Sequence, residues 1–280
     1  MPKKIQVTLT GSESKRLIAQ ASTQVPEVKA CLEQGHRLLL AGGTTVSAMS
    51  EELGFGPLRI SGRIDAGGTR SAQGPGPAPH NLLIQKGKAV NVDHNIQSVV
   101  EQMDSNDLIV TGANAIDPYG RAALAFAALG GGSRGHALHS AYMQGIPTLV
   151  LCGLNKLIPD LGMAMAHSGR SGIEKSMGAA IGLYNIFGPV LTEIKAFEIL
   201  FHVQAVVIAG SGIGDGEGSR TFVILGEEEN VLRTWEHVLA LKGAGLSGDK
   251  SSLEVCYGGC ENCLRHVSCM YKDDEGTILD

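Results

Sequence analysis

Short, continuously apolar runs recur along this 280-residue chain and alternate with stretches of helical periodicity. A strand covered on both faces is apolar at every position, so such runs are typical of a parallel sheet inside a protein. The predicted strands cover residues 37–41, 82–84, 107–111, 148–152, 203–209 and 221–225. The predicted helices cover residues 17–32 with a break at Pro26, 46–53, 95–103, 122–129, 136–144, 173–184, 191–201 and 230–241.

This alternation predicts an α/β fold, with a mainly parallel layered sheet and helices on both faces. The chain has 38 glycines and only 4% aromatic residues, a balance that suits many tight strand–helix turns. We expect an α/β domain over residues 1–190, a small α+β extension over residues 191–245 and a Cys-rich C-terminal tail over residues 246–280.

Charge and hydropathy exclude several classes of function. The formal net charge is −5 and no basic run is present, which argues against nucleic acid as a partner. No apolar segment approaches the roughly 18 residues that a membrane helix requires. The first residues include Lys3 and Lys4 but lack the apolar core of a secretion signal. We therefore expect a soluble cytoplasmic protein without a membrane partner.

The stretch "LLLAGGTTVSAM", residues 38–49, predicts a buried strand that runs through a glycine pair into a helix. Glycines let the backbone approach a ligand, and a helix N-terminus supplies unpaired N–H donors with partial positive charge. Gly42, Gly43, Thr44 and Thr45 therefore form a candidate anion site. The alternative is an ordinary turn in which a threonine hydroxyl caps the helix.

A second candidate region spans residues 107–160, where polar side chains follow predicted strands or glycine turns. Ligands of α/β sheets bind at the carboxyl ends of strands, so these side chains are expected near the first loop. Taken singly, each is explained better as a solvated or capping residue than as a functional one, and only the set as a whole indicates a site. The candidates are Asn114, Asp117, Gly130, Gly131, Gly132, Arg134 and Lys156.

The order of these motifs resembles the NagB/RpiA/CoA-transferase-like superfamily, which includes ribose-5-phosphate isomerases, DeoR-type effector domains and LUD domains. "AGGTTVSAM" is similar to the phosphate loop of the isomerases, and "TGANAID" to their Gly-Ala-Asp-x-x-Asp stretch. "GGGSRGHAL" is similar to their glycine-rich turn, and "LCGLNK" to their strand ending near Ser-Lys. The resemblance covers residues 38–156 and implies a layered α/β fold, a small anionic ligand and a homodimer.

The chain departs from the isomerase pattern where the chemistry resides. Asn114 and Ala115 stand where the isomerases have acidic residues, and only the later acid is present, as Asp117. The segment after the glycine turn has no carboxylate that could replace their general-base Glu, although enolisation requires a positioned base. We therefore expect no appreciable isomerisation of ribose 5-phosphate.

Three residues remain as catalytic candidates. Asp117 is the surviving acid, and His139 is a substitute base after the glycine turn. Glu174, in "SGRSGIEKSMG", is the nearest equivalent of a CoA-transferase nucleophile, although a solvent-facing helical Glu explains this residue better. An enzyme on this chain would be an isomerase or transferase of the superfamily's type.

Four cysteines crowd the C-terminal tail with the spacing C-x3-C-x2-C-x5-C. Four thiolates within fourteen residues can surround one zinc ion or an iron–sulfur cluster, and His266 could replace one of them. Free thiols or a redox disulfide are the alternatives, whereas a structural disulfide is disfavoured without a secretion signal. The predicted ligands are Cys256, Cys260, Cys263 and Cys269.

The sequence thus predicts binding of a small anionic metabolite, phosphorylated or a carboxylate, and leaves its conversion open. Two other functions compete with this one. One is a non-catalytic metabolite sensor similar to the effector domains. The other is a redox or electron-transfer accessory protein that uses the C-terminal cysteines.

The cysteine spacing generates the first prediction. Protein purified without oxygen should contain zinc, or iron with acid-labile sulfide, because four closely spaced thiolates favour a shared centre. Elemental and sulfide analysis, with the Cys260→Ser protein as the control, measures this. Wild-type protein with metal and sulfide at background would show that the thiols are free or paired with each other.

Overall fold

The computed structural model describes residues 2–72, 76–254, 263 and 266–271. Its fourteen strands and eight α-helices within these ranges form a mixed α/β structure. The strands are β1 Lys3–Leu9, β2 Leu38–Ala41, β3 Gly62–Asp65, β4 Gly68–Ser71, β5 Asn81–Gln85, β6 Lys88–Asn91, β7 Leu108–Gly112, β8 Ala115–Ile116, β9 Ala122–Phe126, β10 Thr148–Leu151, β11 Gly182–Ile186, β12 Val190–Leu191, β13 Gln204–Ser211 and β14 Ser219–Gly226. The helices are α1 Gly11–Ser22, α2 Pro26–Gln34, α3 Thr44–Glu52, α4 Ile96–Glu101, α5 Gly132–Gln144, α6 Leu161–His167, α7 Glu193–Phe201 and α8 Glu228–Leu241.

The central sheet is mixed, and the parallel pairing that the apolar runs predict is found in part of it. Its strand order is β12-β10-β7-β2-β5-β6, in which the first four strands are parallel and β5 and β6 are antiparallel to their neighbours. The two-residue turn between β5 and β6 has positive φ at Lys86 (51°) and Gly87 (72°). Positive φ at both central residues matches the twist of a tight hairpin, which explains why the chain reverses here.

Alternate residues of β2 enter two different parts of the core. Leu38 and Leu40 belong to a hydrophobic cluster that also contains residues of α1, α3 and α7. Leu39 and Ala41 belong to a second cluster, with residues of α4 and α5. Every residue of β2 is therefore buried, as the continuous apolar run predicts.

Several predicted elements are confirmed with small changes at their ends. The strands at 37–41, 107–111 and 148–152 are present as β2, β7 and β10, and all lie in the central sheet. The break at Pro26 is also confirmed, because α1 ends at Ser22 and Pro26 begins α2. Proline suits the first turn of a helix, where its missing N–H would have no partner.

Two predicted helices are wrong. Residues 122–129 begin with strand β9, and residues 173–184 end in strand β11 with no helix before it. The two strands pair with each other, with Leu124 opposite Tyr184, and β8 pairs on the other side of β9. The sequence "AALAF" has a high local helix propensity, but pairing with distant strands overrides it.

A second, antiparallel sheet joins the N-terminal strand to the later part of the chain. Its order is β1-β14-β13, with Lys3 opposite Gly226. The buried rings of Phe197 on α7 and Phe222 on β14 lie 5.5 Å apart, in the same cluster as Leu38. The domain boundaries at residues 190 and 245 stay a prediction. Across the described ranges, no helix is long and apolar enough to span a membrane.

The shared cluster generates a stability prediction. Phe197→Ala should lower the free energy of unfolding by about 3–5 kcal/mol, because it removes a fully buried ring and leaves a cavity. Urea denaturation followed by circular dichroism measures the change. Phe187→Ala is the control, because its ring is 62% exposed and its removal should cost only about 0.5 kcal/mol. Equal losses for the two variants would contradict this account of the core.

Candidate functional site

The two glycines between β2 and α3 serve different steric purposes. Gly43 has φ of 141°, a conformation that residues with side chains rarely adopt, and an added Cβ there would meet no atom within 4 Å. A Cβ on Gly42 would instead lie 2.5 Å from the imidazole ring of His80. Gly42 thus permits close packing, whereas Gly43 permits the turn and leaves open space beside it.

The glycine turn opens into a cleft of about 2320 Å³. The parallel strands β2, β7 and β10 end beside one another, so their carboxyl ends bring distant loops together. The structure brings most of the candidate ligand-binding residues to this cleft. Those that line the cleft are Gly42, Gly43, Thr44, Thr45, Asn114, Gly131, Gly132, Arg134 and Lys156.

Four candidates are not among the described residues that line the cleft: Asp117, Gly130, His139 and Glu174. His139 and Glu174 are exposed elsewhere. The Asp117 carboxylate is buried, and it accepts hydrogen bonds from the Arg121 side chain at 2.6 Å and from the backbone of Tyr119, Arg121 and Leu161. Burial opposes ionisation, but these hydrogen bonds outweigh it and lower the pKa of Asp117. Asp117 therefore holds a turn together.

The cleft is strongly cationic although the chain as a whole carries a charge of −5. Asp65 supplies the one carboxylate among its described lining residues, and it forms ion pairs with Arg63 and Arg70. The lysines and arginines that line the cleft are Lys15, Arg59, Arg63, Arg70, Arg134 and Lys156.

Arg134 extends from the first turn of α5 to the glycine turn. Its guanidinium donates a hydrogen bond to the carbonyl oxygen of Gly42 at 2.7 Å. Its Nε is buried and has no hydrogen-bond partner among the described residues. Burial lowers the pKa of Arg134 to about 10, which still leaves the group charged at neutral pH. A half-buried cation whose buried donor is unused favours an anion beside it.

Two lysines add charge to the same cleft. Lys156 donates to the carbonyl oxygen of Ala113 at 2.5 Å. The Lys15 ammonium forms no hydrogen bond or ion pair with the described residues. Burial, and then the nearby charge of Lys156, lower the pKa of Lys15 to about 8. Bringing two like charges together in a partly buried site costs free energy that a bound anion would offset.

Neutral donors complete the site. Within the described ranges, the backbone amides of Gly43, Thr44 and Thr45 donate no hydrogen bond. The Asn114 side chain accepts from the amide of Ala125 at 3.0 Å, which leaves its NH₂ group to donate. Gly43 occupies the N-cap position of α3, and no side chain caps this helix. Capping by a threonine hydroxyl, the alternative to an anion site, is therefore not observed.

His80 lies against the glycine turn from the other side. Its backbone carbonyl accepts from the amide of Gly42 at 3.0 Å, and its ring contacts Ser61 and the carbonyl oxygen of Arg59. Burial, and then the charge of Arg134, lower the pKa of His80 to about 4. The ring is therefore neutral at physiological pH.

Sequence reasoning missed Lys15, His80 and the arginines of the β3–β4 hairpin. A turn signal was present for the hairpin, because "RIDAGGTR" places two arginines around an Asp-Ala-Gly-Gly turn. No local signal marks Lys15 or His80. They reach the cleft only through the packing of α1 and β5 around the glycine turn.

The structure leaves the cysteine prediction open. Cys256 and Cys260 lie outside the described residues, while Cys263 is buried and Cys269 is half-buried. Within the described part of the chain, no group of three or more His, Cys, Asp or Glu residues could hold a metal ion. His266, also from the tail, lines the cationic cleft and contacts Ser71 at 3.1 Å.

Comparisons with protein families, curated proteins and solved structures find no match for this chain. The function must therefore be inferred from the geometry of the site.

The environment of Asp117 generates a prediction about stability and pH. Asp117→Asn should lower the free energy of unfolding by roughly 1–3 kcal/mol at pH 7, because an amide cannot accept all of these hydrogen bonds. The lowered pKa means that the wild-type carboxylate stabilises the fold fully above pH of about 4. This contribution is lost as the pH falls through the folded-state value.

Urea denaturation between pH 2 and pH 7 measures both effects. The difference between wild type and Asp117→Asn should shrink as the pH falls below about 4. Asp215→Asn is the matched control, because Asp215 is exposed. A difference that stays constant with pH would show that the carboxylate charge does not stabilise this turn.

Proposed function

We propose that this protein binds a small anionic metabolite, phosphorylated or a carboxylate, at the Gly42–Thr45 loop. One observation carries the proposal: the guanidinium of Arg134 reaches the carbonyl oxygen of Gly42, and its buried Nε keeps an unused donor. A charged group that has lost water needs a compensating partner, and no carboxylate pairs with Arg134 among the described residues. An anion beside the turn would supply that partner.

The other groups of the cleft favour a ligand with more than one negative charge. The backbone amides at the start of α3 can hydrogen-bond to anionic oxygens, as helix N-termini commonly do. Lys15 and Lys156 add two positive charges in the same cleft. Phosphate esters match this combination because they carry about two charges and several acceptor oxygens.

Binding explains the described residues better than isomerisation does. Asp117 is fully engaged by its turn, and His139 and Glu174 do not line the cleft. The resemblance to the NagB/RpiA/CoA-transferase-like superfamily supports the same reading. On the basis of this resemblance we also propose that helices are layered on both faces of the central sheet.

A redox or electron-transfer accessory role is the second proposal, and a specific observation favours it. His266, which follows three of the four tail cysteines, lines the cationic cleft. A metal or iron–sulfur centre in the tail would therefore lie close in sequence to a residue of the anion site. A metabolite sensor is the third alternative, and it would show binding without turnover.

The anion site generates a prediction that uses a charge-matched control. Arg134→Gln should weaken binding of inorganic phosphate at least tenfold, because it removes a charge from the loop while keeping a polar side chain. Gly43→Val should abolish binding, because a side chain would enter the open space beside the turn. Isothermal titration calorimetry and thermal shift with phosphate, sulfate and ribose 5-phosphate measure both effects.

Arg233→Gln is the control. It removes the same charge from α8, where the arginine is exposed and makes one long contact with Asn230. Its affinity for phosphate should equal that of wild type. Phosphate binding that is unchanged in folded Arg134→Gln and Gly43→Val proteins would show that the loop is only a turn.

A further inference from the structure

We propose that Ser61 and His80 form a nucleophile–base pair for acyl transfer. The substrate class is an ester or thioester that carries a phosphate or carboxylate group. The hydrogen bonds of Ser61 and His80 support the pair without any assumption about the anion site. The charge assigned to the substrate rests on the proposed anion-binding function. This activity differs from isomerisation, and it uses neither Asp117, His139 nor Glu174.

The hydrogen bonds of His80 determine which nitrogen carries the proton. Its Nδ1 lies 2.8 Å from the carbonyl oxygen of Arg59, which can only accept, so Nδ1 must be the donor. The neutral ring then has an unprotonated Nε2. This nitrogen lies 2.9 Å from the hydroxyl oxygen of Ser61, so the hydroxyl of Ser61 must donate to it.

This is the arrangement that activates a serine. A hydroxyl is a weak nucleophile unless an adjacent base takes its proton, and a third group must hold the base in the correct tautomer. Here the Arg59 carbonyl takes the orienting role. Two backbone amides fix the position of the histidine, since both His80 and Asn81 donate to the Asp93 carboxylate.

The location of the pair suits attack on a bound substrate. Ser61 is exposed and, like His80, lines the cationic cleft. The ring of His80 packs against Gly42, which places the base beside the anion loop. Three backbone amides at the start of α3 line the same cleft and donate no hydrogen bond to the described residues. The amide of Gly43 is the natural donor for the oxyanion of a tetrahedral intermediate, and those of Thr44 and Thr45 remain for the anionic group of the substrate.

A neutral base is available at physiological pH, because burial and the charge of Arg134 lower the pKa of His80 to about 4. A bound anion beside Arg134 would offset the effect of that charge. The base would therefore become stronger when the substrate occupies the cleft.

The reaction balances with groups present in the cleft and water. The Ser61 oxygen forms a bond to the acyl carbon while its proton moves to Nε2 of His80. The bond from the acyl carbon to the leaving alcohol or thiol then breaks, and the leaving group takes that proton. Water hydrolyses the acyl-serine by the same route, with His80 accepting and returning its proton.

A fluorophosphonate probe tests the pair without requiring the natural substrate. Attack by an activated serine forms an oxygen–phosphorus bond and releases fluoride, and mass spectrometry locates the adduct. We expect one adduct at Ser61, none in Ser61→Ala, and full labelling in Ser133→Ala. Ser133 is the matched control, because it is an exposed serine of the same cleft without a histidine contact among the described residues.

His80→Asn should slow labelling by about 100-fold or more, since general bases contribute at least this much. Replacing the half-buried His80 also disturbs packing, so the decisive variant is Ser61→Ala, which changes an exposed residue. Wild-type protein that is not labelled, or an adduct at Ser71 or Ser133, would overturn the pair.

The substrate class has its own measurement. Wild-type protein should hydrolyse an acetyl thioester that bears phosphate with a higher kcat/KM than an uncharged acetyl thioester. Arg134→Gln should lose this preference, because it removes the charge that Arg134 places beside the loop. Labelling at Ser61 without a preference for the thioester that bears phosphate would contradict the proposed charge of the substrate. If titration with phosphate were also negative, the anion-binding proposal would fail, whereas the Ser61–His80 pair would stand.

Discussion

The backbone of Gly42 holds the site together. Its amide donates to the carbonyl oxygen of His80, and its own carbonyl oxygen accepts from Arg134. The contact with His80 requires a close approach that a side chain would prevent, because a Cβ here would lie 2.5 Å from the His80 ring. Three segments distant in sequence therefore meet at one residue. The glycine turn, the base and the cationic helix can be positioned together only when this contact forms.

The charge distribution of the cleft is a second constraint on the fold. Positive groups are gathered around the loop in a chain with a net charge of −5, and only Asp65 opposes them among the described lining residues. Folding must therefore take Arg134 and Lys15 out of water without a full set of partners. Such an arrangement costs stability in the empty protein, and it persists in proteins where binding requires it. The cleft and its charge are thus best understood together.

The sequence predicts the parts of this structure that depend on local pattern. The buried strand β2, the break at Pro26 and the approach of Asn114, Arg134 and Lys156 to the glycine turn all follow from apolar runs and turn residues. Strand β9 and the reversal of the chain at Lys86 and Gly87 do not follow from local pattern, because pairing between strands determines them. His80 could not be found from its neighbours, because its role arises from contact with Gly42 across two strands.

The pairing of β1 with β14 has a consequence for how the chain folds. Lys3 lies opposite Gly226, so this contact closes a loop that contains most of the protein. The parallel pairs β2–β7 and β7–β10 join segments much closer in sequence and can form earlier. During synthesis, β1 must remain without its partner until the last long strand has left the ribosome. Until then, the unpaired backbone of β1 and its apolar face, formed by Ile5, Val7 and Leu9, are both exposed and favour association between chains.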